Sequence, residues 1–422
     1  MTKLRILYVV HQFVPRHIAG TELYTEHLAR AMQARGHEVA VFTTEAYHGE
    51  AQSTLREKDH AGLRVYEAVH NNAFPDFEGS YIDSEKEAQF ERVLDSFEPD
   101  LVHVQHLCMH SIGDLAIAKR RALRIVYTLH EFWLLCVHHG WLARPGYVLC
   151  DGPEAQQCAN CAKVACPTPK RGDHDDAWLA AWCARDTYVR DALDNVDLFV
   201  SPSRFLRERF VAAGYIDAQR IVFSDNGMPT HAHGSRNSER SGPLRIGFLG
   251  TLAEWKGVHV LIEAMNRLGE DEASLALHGV LEYFPDYVAR LRALARHPRI
   301  SFEGRYDNAC VADILAGIDV LVVPSLWYEN SPITIHEAFL AGVPVLASGV
   351  GGMAEFVDHE KNGLHFAIGD ADSLHAALRR LLDEAGLLAR LRSGMPVFKT
   401  IERDAEDQEQ RYRSLLAMDP SG

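Results

Sequence analysis

Short apolar runs and amphipathic stretches alternate along most of this chain. Leu4–Val10 is a β-rich run, and Gly20–Arg35 follows with Leu23, His27, Leu28 and Ala31 on one side at helical spacing. Glu38–Thr43, Asp100–Gln105 and Arg124–Leu129 read as further strands, the last two each preceded by a helical segment. Asn195–Ser201 supplies another strand and Arg204–Ala213 another helix. Strands separated by helices pair in parallel through βαβ crossovers, and burial on both faces makes each strand a continuous apolar run.

The alternation breaks twice. Residues 136–175 are rich in Cys, Gly, Pro and Asp and read as an insertion with little regular structure. Residues 227–243 are polar, almost without large apolar groups, and have a linker's composition. The pattern then restarts with strand Leu244–Leu249, helix Gly257–Leu268, strand Ser274–His278 and helix Pro285–Ala295. Strands Arg299–Phe302 and Asp319–Val323, helix Pro332–Ala341 and strand Pro344–Ala347 follow. The expected fold class is α/β: two Rossmann-like, doubly wound parallel-sheet domains, residues 1–226 and 244–400, joined by a linker over 227–243. An amphipathic helix over 401–418 is expected to dock back on the first domain. Ligands of such sheets bind beyond the carboxyl ends of the strands, so two facing domains suggest a two-substrate reaction in the cleft between them.

With 422 residues the chain exceeds one ordinary domain. No apolar stretch approaches the ~20 residues of a membrane span. The first residues read as a strand and loop without a signal peptide's apolar core, so the cytoplasm is expected. Lys and Arg total 43 against 58 Asp and Glu, a net charge of −15, which disfavours nucleic acid as a partner. Lys119-Arg120-Arg121 with Arg124 is the best local basic run. It reads as a solvated helix end, with peripheral contact to anionic lipid at a membrane's inner face as the alternative.

The most informative segment is Pro324 to Phe339, directly after a buried strand. Ser331 then Pro332 is a helix-start signal, Ser as cap and Pro at the first helical position. The amides just beyond, through Thr334, would face an anion at the helix N-terminus. Glu329 precedes the cap and Glu337 lies about 7.5 Å along the helix axis. Two carboxylates so placed can serve hydroxyls at two ends of an extended ligand, as a sugar nucleotide has. Lys256, in Gly250-Thr251-Leu252-Ala253-Glu254-Trp255-Lys256-Gly257, can neutralise a pyrophosphate, and Gly351-Gly352 would let amides approach an anion.

The ordered set Lys256-Gly257, Glu329-x7-Glu337, Gly-Val-Pro-Val and Gly351-Gly352 resembles the retaining glycosyltransferases of family 4, which have the GT-B fold. Pro15…Ala19-Gly20-Thr21-Glu22, Arg35-Gly36-His37-Glu38-Val39, Thr128-Leu129-His130 and Asn226-Gly227 extend the resemblance over nearly the whole chain, apart from the Cys-rich insertion. The resemblance implies an acceptor-side domain over 1–226 and a donor domain over 244–400. Lys256 would hold the donor phosphates, Glu337 the ribose hydroxyls, and Glu329 would lie beside the transferred sugar. Backbone of Asn330, Ser331, Pro332, Ile333 and Thr334 would contact sugar and phosphate, Gly20 would close over the diphosphate, and His130 would contact the donor sugar. Many members carry Arg where Thr251 stands, so another basic group such as Arg305 would share the load.

The resemblance also implies same-face attack within an ion-pair-like state, with no metal required for catalysis. The acceptor would be a glycan or a lipid-linked acceptor in the synthesis of a polysaccharide, glycolipid or related glycan. A nucleotide-sugar epimerase of the same architecture and a non-catalytic nucleotide-sugar binding protein are the alternatives. For Cys150, Cys158, Cys161 and Cys166, four thiols in 17 residues, a structural zinc, reduced thiols and disulfides all stay open.

Overall fold

The protein is described from a computed structural model covering residues 2–71, 74, 76–166, 174–229 and 242–418. It divides into two compact units, Met1–Pro229 with Lys399–Gly422 and Thr230–Phe398. Residues 230–241, most of the expected linker, and 167–173 of the expected insertion lie outside the described residues.

The first unit runs β1 (Arg5–Val9), α1 (Gly20–Ala34), β2 (Glu38–Glu45), β3 (Leu55–His60), β4 (Leu63–Val69), α2 (Ser84–Phe97), β5 (Leu101–Val104), α3 (Asp114–Arg120) and β6 (Arg124–Thr128). After a short ribbon, β7 (Ala143–Arg144) with β8 (Val148–Leu149), come α4 (Ala155–Ala165), α5 (Asp175–Leu193), β9 (Leu198–Ser201), α6 (Arg204–Ala212) and β10 (Ile221–Phe223). The main sheet has the order β10-β9-β6-β5-β1-β2-β4-β3 and is parallel except for β3. The chain leaves β1 toward β2 and later returns to β5 on the other side, so the order reverses at the β1/β5 boundary.

Two departures from the sequence pattern have clear causes. The β3–β4 hairpin is not signalled because β3 (Leu-Arg-Glu-Lys-Asp-His) is nearly all polar, as suits an exposed edge strand that must not recruit another chain. The stretch expected to lack regular structure holds the β7–β8 ribbon and α4. Helix α4 is rich in small helix formers, and the Glu154 carboxylate caps it by accepting from the amides of Gln156 and Gln157.

The last helix, α14 (Ile401–Ala417), packs against α1. Ile401, Ala405, Tyr412 and Leu415 enter one core with Tyr24, Leu28, Ala29 and Met32 of α1 and Ile6 and Tyr8 of β1. Each large apolar side chain so buried contributes roughly 1.5–3 kcal/mol. Buried Asp404 accepts from the Tyr24 hydroxyl (2.9 Å), the Gly227 amide (2.9 Å) and Lys399 (2.8 Å), which fixes where α14 lies.

The second unit contains β11 (Leu244–Leu249), α7 (Val258–Met265), β12 (Ala273–His278), α8 (Pro285–Leu294), β13 (Ile300–Gly304), α9 (Val311–Ala316), β14 (Val320–Val323) and α10 (Ile333–Leu340). It ends with β15 (Val345–Ser348), α11 (Gly351–Phe356), β16 (Gly363–Phe366), α12 (Ala371–Asp383) and α13 (Leu387–Ser393). Its sheet, β13-β12-β11-β14-β15-β16, is parallel throughout and reverses order at β11/β14. Pro332 is itself the cap of α10, with no side-chain capping bond, so Ser331 is not the cap the sequence suggested. Among the described residues, no helix is long and apolar enough to cross a membrane.

Candidate active site

In open α/β sheets the crevice for ligands lies where the strand order reverses. In the second unit the loops after β11 and β14 meet there. Gly257 has φ +67°, and a Cβ on it would stand 1.9 Å from the Pro324 carbonyl oxygen, so glycine lets the two loops touch. The Leu326 amide donates to the Trp255 carbonyl at 2.8 Å. This contact brings Lys256 Nζ to 2.6 Å from Glu329 Oε1, which also accepts from Ser325 Oγ at 2.7 Å. The ammonium lies 5.7 Å from the centroid of the Trp327 ring. Glu329 is buried while Lys256 remains partly open to solvent.

Gly351 and Gly352 begin α11 against this loop, and the part of Gly352 differs from the one expected. The Gly352 amide donates to the Glu329 carbonyl at 2.8 Å, so it is spent on the protein rather than held for an anion. A Cβ at Gly352 would fall 1.5 Å from the Asn330 carbonyl oxygen. Glycine here packs α11 against the Glu329–Asn330 backbone. Asn330 is buried, and Ser331, Pro332, Ile333 and Thr334 are partly exposed over the start of α10. Glu337 lies one turn further along α10, and burial pushes its carboxyl up from 4.5 to about 7, slightly offset by His336. Tyr306, beyond β13, faces Glu337 and its hydroxyl is also pushed up, by burial first. Thr251 lies in the β11 loop, its carbonyl accepting from the Ala253 amide at 2.9 Å. Arg305 donates to the Tyr283 hydroxyl at 3.2 Å.

The first unit carries its own polar group where its sheet reverses. His11 follows β1, Gln105 and His106 follow β5, and His130 and Glu131 follow β6. His11 faces Glu22 of α1 across 3.3 Å and His106 faces Glu131 across 3.0 Å. The His11 and His106 ring centroids are 4.4 Å apart. His130 Nε2 lies 2.7 Å from Gln105 Oε1, with its ring 5.4 Å from that of Tyr24. Burial, reinforced by the neighbouring imidazoles, lowers His130 to about 3, so its ring is neutral near pH 7. Three buried polar atoms, His11 Nδ1, Glu22 Oε2 and Gln105 Nε2, have no hydrogen-bond partner. Such a group costs roughly 1–3 kcal/mol unless something fills it. Sequence reasoning singled out His130 and missed His11, Gln105 and His106; their available signal was a polar residue just past a buried strand. Gly20 is the first residue of α1, one turn ahead of the helix face that carries Tyr24.

The cysteine group is larger than the set read from spacing. All eight are free, so no disulfide staples the insertion. The thiols of Cys136, Cys150, Cys158 and Cys161 interact with one another, so Cys136 adds to the set read from spacing. Burial raises Cys136 to about 11 and Cys158 to about 12, which favours neutral thiols. Cys150 Sγ lies 3.1 Å from the Gly152 carbonyl, and Cys158 Sγ accepts from the Glu154 amide at 3.3 Å. Among the described residues, no group of three or more His, Cys, Asp or Glu is placed to hold a metal ion. The basic run is exposed, and its side chains pair with carboxylates at the surface. Lys119 and Arg124 both reach Asp197, Arg120 meets Glu91, and Arg121 meets Asp95.

Comparison with known proteins agrees with this geometry. The profile of Glycosyltransferase Family 4 matches residues 18–232, and that of Glycosyl transferases group 1 matches residues 243–384. The glycogen synthase of Mycobacterium tuberculosis is 26% identical over 409 residues, covering 92% of this chain and 88% of the relative. Sucrose-phosphate synthase from Thermosynechococcus elongatus superposes with a TM-score of 0.71 at 19% identity, over 98% of this chain and 99% of the other. Anabaena Alr3699/HepE, solved in complex with UDP and glucose, superposes with a TM-score of 0.64 at 19% identity, over 98% and 100%. With two parallel α/β sheets and matches spanning both, the chain belongs to glycosyltransferase family 4 and is a GT-B enzyme of the nucleotide-sugar-dependent class.

Proposed function

We propose that the protein moves a sugar from a nucleotide-sugar donor to a hydroxyl of a glycan or lipid-linked acceptor, with retention of anomeric configuration. The observation that carries this reading is the Lys256–Glu329 pair at the order reversal of the second sheet, with Glu337 one turn into the adjoining helix. A diphosphate carries more negative charge than Glu329 and competes for the Lys256 ammonium, which sits on a flexible stem. Glu329, released from the ammonium, then accepts from hydroxyls of the donor sugar. Glu337, half-buried and pushed up to about 7, gains from two ribose hydroxyls the hydrogen bonds that favour its charged form.

As the anomeric bond breaks, negative charge grows on the departing diphosphate. Lys256 and the amides at the start of α10 are positioned to stabilise that charge, the main demand on such a site. The acceptor attacks on the face the leaving group vacates, and its proton passes to the diphosphate. Glu329 supports the positive charge on the sugar without forming a bond to it. His130, neutral and held at Gln105, serves the sugar as a hydrogen-bonding group rather than as a cation.

Thermal shift with UDP, ADP and GDP tests the donor assignment. One of them at 100 times its dissociation constant should stabilise the protein by about 2.7 kcal/mol, and Lys256→Met should abolish the effect. Nuclear magnetic resonance of the product of the matching nucleotide sugar then reads the anomeric configuration. Indifference to all three nucleotides, or an inverted product, would refute the reading.

A further inference from the structure

Strands β5 and β6 are paired in the first sheet, so the residues just past them emerge together, Gln105 after β5 and His130 two positions beyond β6. Gln105 is wholly buried, and its backbone amide donates to the Val9 carbonyl at 2.7 Å. Its side-chain Oε1 lies 2.7 Å from His130 Nε2. A carboxamide oxygen can only accept, so Nε2 carries the ring proton. Burial, with His106 and His11 alongside, lowers His130 to about 3, and a neutral imidazole has a single N–H. Nδ1 therefore carries no proton and can only accept.

The groups around the ring keep it in this one-proton state. Glu22 of α1 faces His11 at 3.3 Å and Glu131 faces His106 at 3.0 Å, so each carboxyl is matched to another imidazole. Tyr24 of α1 holds its ring 5.4 Å from that of His130, and its hydroxyl donates to Asp404 of α14. His103 of β5, which also senses Arg411 of α14, is held between the Tyr412 hydroxyl (2.5 Å) and Thr128 Oγ1 (2.8 Å). The amide of Gln105 accepts the His130 N–H without the negative charge that would draw a second proton onto the ring.

The other end of the same amide, Gln105 Nε2, is buried with no hydrogen-bond partner. An unmade bond of this kind costs stability, and the bond from Oε1 to His130 is the one that offsets it. Reversing the amide would orphan its oxygen instead and would demand the opposite tautomer of His130, with the proton on Nδ1. The protonation of the ring therefore reports the arrangement directly.

We propose that Gln105 is a positioning residue for His130, its carboxamide fixing the ring as the Nε2–H tautomer so that Nδ1 accepts a hydrogen bond from a hydroxyl of the transferred sugar. This rests on the glycosyl-transfer reading above and adds the atom that meets the sugar and the residue that sets it. Gln105 itself touches no substrate. A glutamate in its place would attract a second proton. On the ring that proton occupies Nδ1; on the new carboxyl it donates to Nε2 and drives the ring's own proton to Nδ1. Either way the acceptor is lost, and release of the proton at higher pH restores it.

The test uses the full chain labelled with 15N-histidine, the His130 signals being assigned from His130→Asn. Long-range 1H–15N correlation spectra, whose pattern differs between the two neutral tautomers, should show Nε2–H from pH 5.5 to 8.5. The facing imidazoles titrate below this window, His11 and His106 at about 4 and His103 also well below its usual value. Affinities for UDP, ADP and GDP are then compared with those for UDP-glucose, ADP-glucose and GDP-mannose, so that the sugar's share is read apart from the nucleotide's. In Gln105→Glu that share should fall about tenfold wherever the spectrum shows Nδ1 protonated and recover where it does not, with diphosphate affinity unchanged. Gln105→Leu, which offers no acceptor and no charge, should lose the Nε2–H preference and much of the share at every pH, and it carries the test if the glutamate variant does not fold. An Nδ1–H ring in the unsubstituted protein, or a sugar share indifferent to the tautomer, would overturn the proposal while diphosphate binding stands. Absence of diphosphate binding, with the Nε2–H ring present, overturns the donor reading instead.

Discussion

Glu337 offers the sharpest test of how the second unit is built. Its carboxyl ionises at about 7 in the fold instead of its ordinary 4.5, chiefly because burial penalises the charged form. Between these values the folded chain holds a proton that the unfolded chain has released, so stability must fall as pH rises through that window. At about 1.4 kcal/mol for each pH unit between the two values, the loss reaches about 3 kcal/mol above pH 7 and vanishes below 4.5. Glu337→Gln removes the titration while keeping size and hydrogen-bonding capacity. The variant should therefore lie within about 1 kcal/mol of the unsubstituted protein near pH 5 and exceed it by about 3 kcal/mol at pH 8. Urea unfolding of both proteins, in half-unit steps from pH 5 to 8.5, reads this as a widening gap between midpoints. Taking the difference cancels the titration of every group the two share. The gain in stability should come with weaker nucleotide binding, since the amide loses the charged acceptor for ribose hydroxyls. Two curves offset by a constant amount across the range would refute the reasoning, because an unperturbed surface carboxyl gives that result.

Two further outcomes follow from close contacts. Gly352→Ala places a methyl group 1.5 Å from the Asn330 carbonyl oxygen and forces the Gly352 amide off the Glu329 carbonyl. It should cost about 1–3 kcal/mol in a thermal melt and weaken nucleotide binding more than tenfold, whereas the exposed Gly49→Ala should do neither. Tyr412→Phe removes the hydroxyl that lies 2.5 Å from His103 Nδ1 and 3.3 Å from the Tyr8 hydroxyl, leaving two buried groups short of a partner. A loss of about 1–3 kcal/mol is expected, read as a lower melting temperature with nucleotide stabilisation unchanged.

Much of the architecture could be read from residue order, because buried parallel strands and amphipathic helices have different periods. Val320–Val323, Leu244–Leu249 and Arg124–Thr128 are apolar on both faces and therefore stand out in the chain. The same reasoning failed on β3, whose alternation is of charge rather than hydrophobicity, and on α4, whose buried stripe is made only of small residues, Cys158, Ala159, Cys161 and Ala162. Gly352 was recognisable as a position that excludes a side chain, but not for the reason assigned. Whether its amide meets a ligand or the Glu329 carbonyl depends on a neighbouring loop, and no local pattern contains that loop.

What the linear chain determined by itself was the period of each element, the helix signal at Pro332, and the residue types capable of chemistry: Lys256, Glu329, Glu337 and His130. What the tertiary structure alone decided was which of these groups meet. Lys256 and Glu329 are separated by 73 positions and touch because β14 inserts beside β11. His11, His106 and Glu131 come together because β1, β5 and β6 are neighbours in the first sheet. The physical reason is that strand order is a global outcome of crossover handedness and core burial, whereas periodicity is local. A carboxylate's ionisation likewise depends on what covers it, and for Glu337 that covering is assembled from elements distant in the chain.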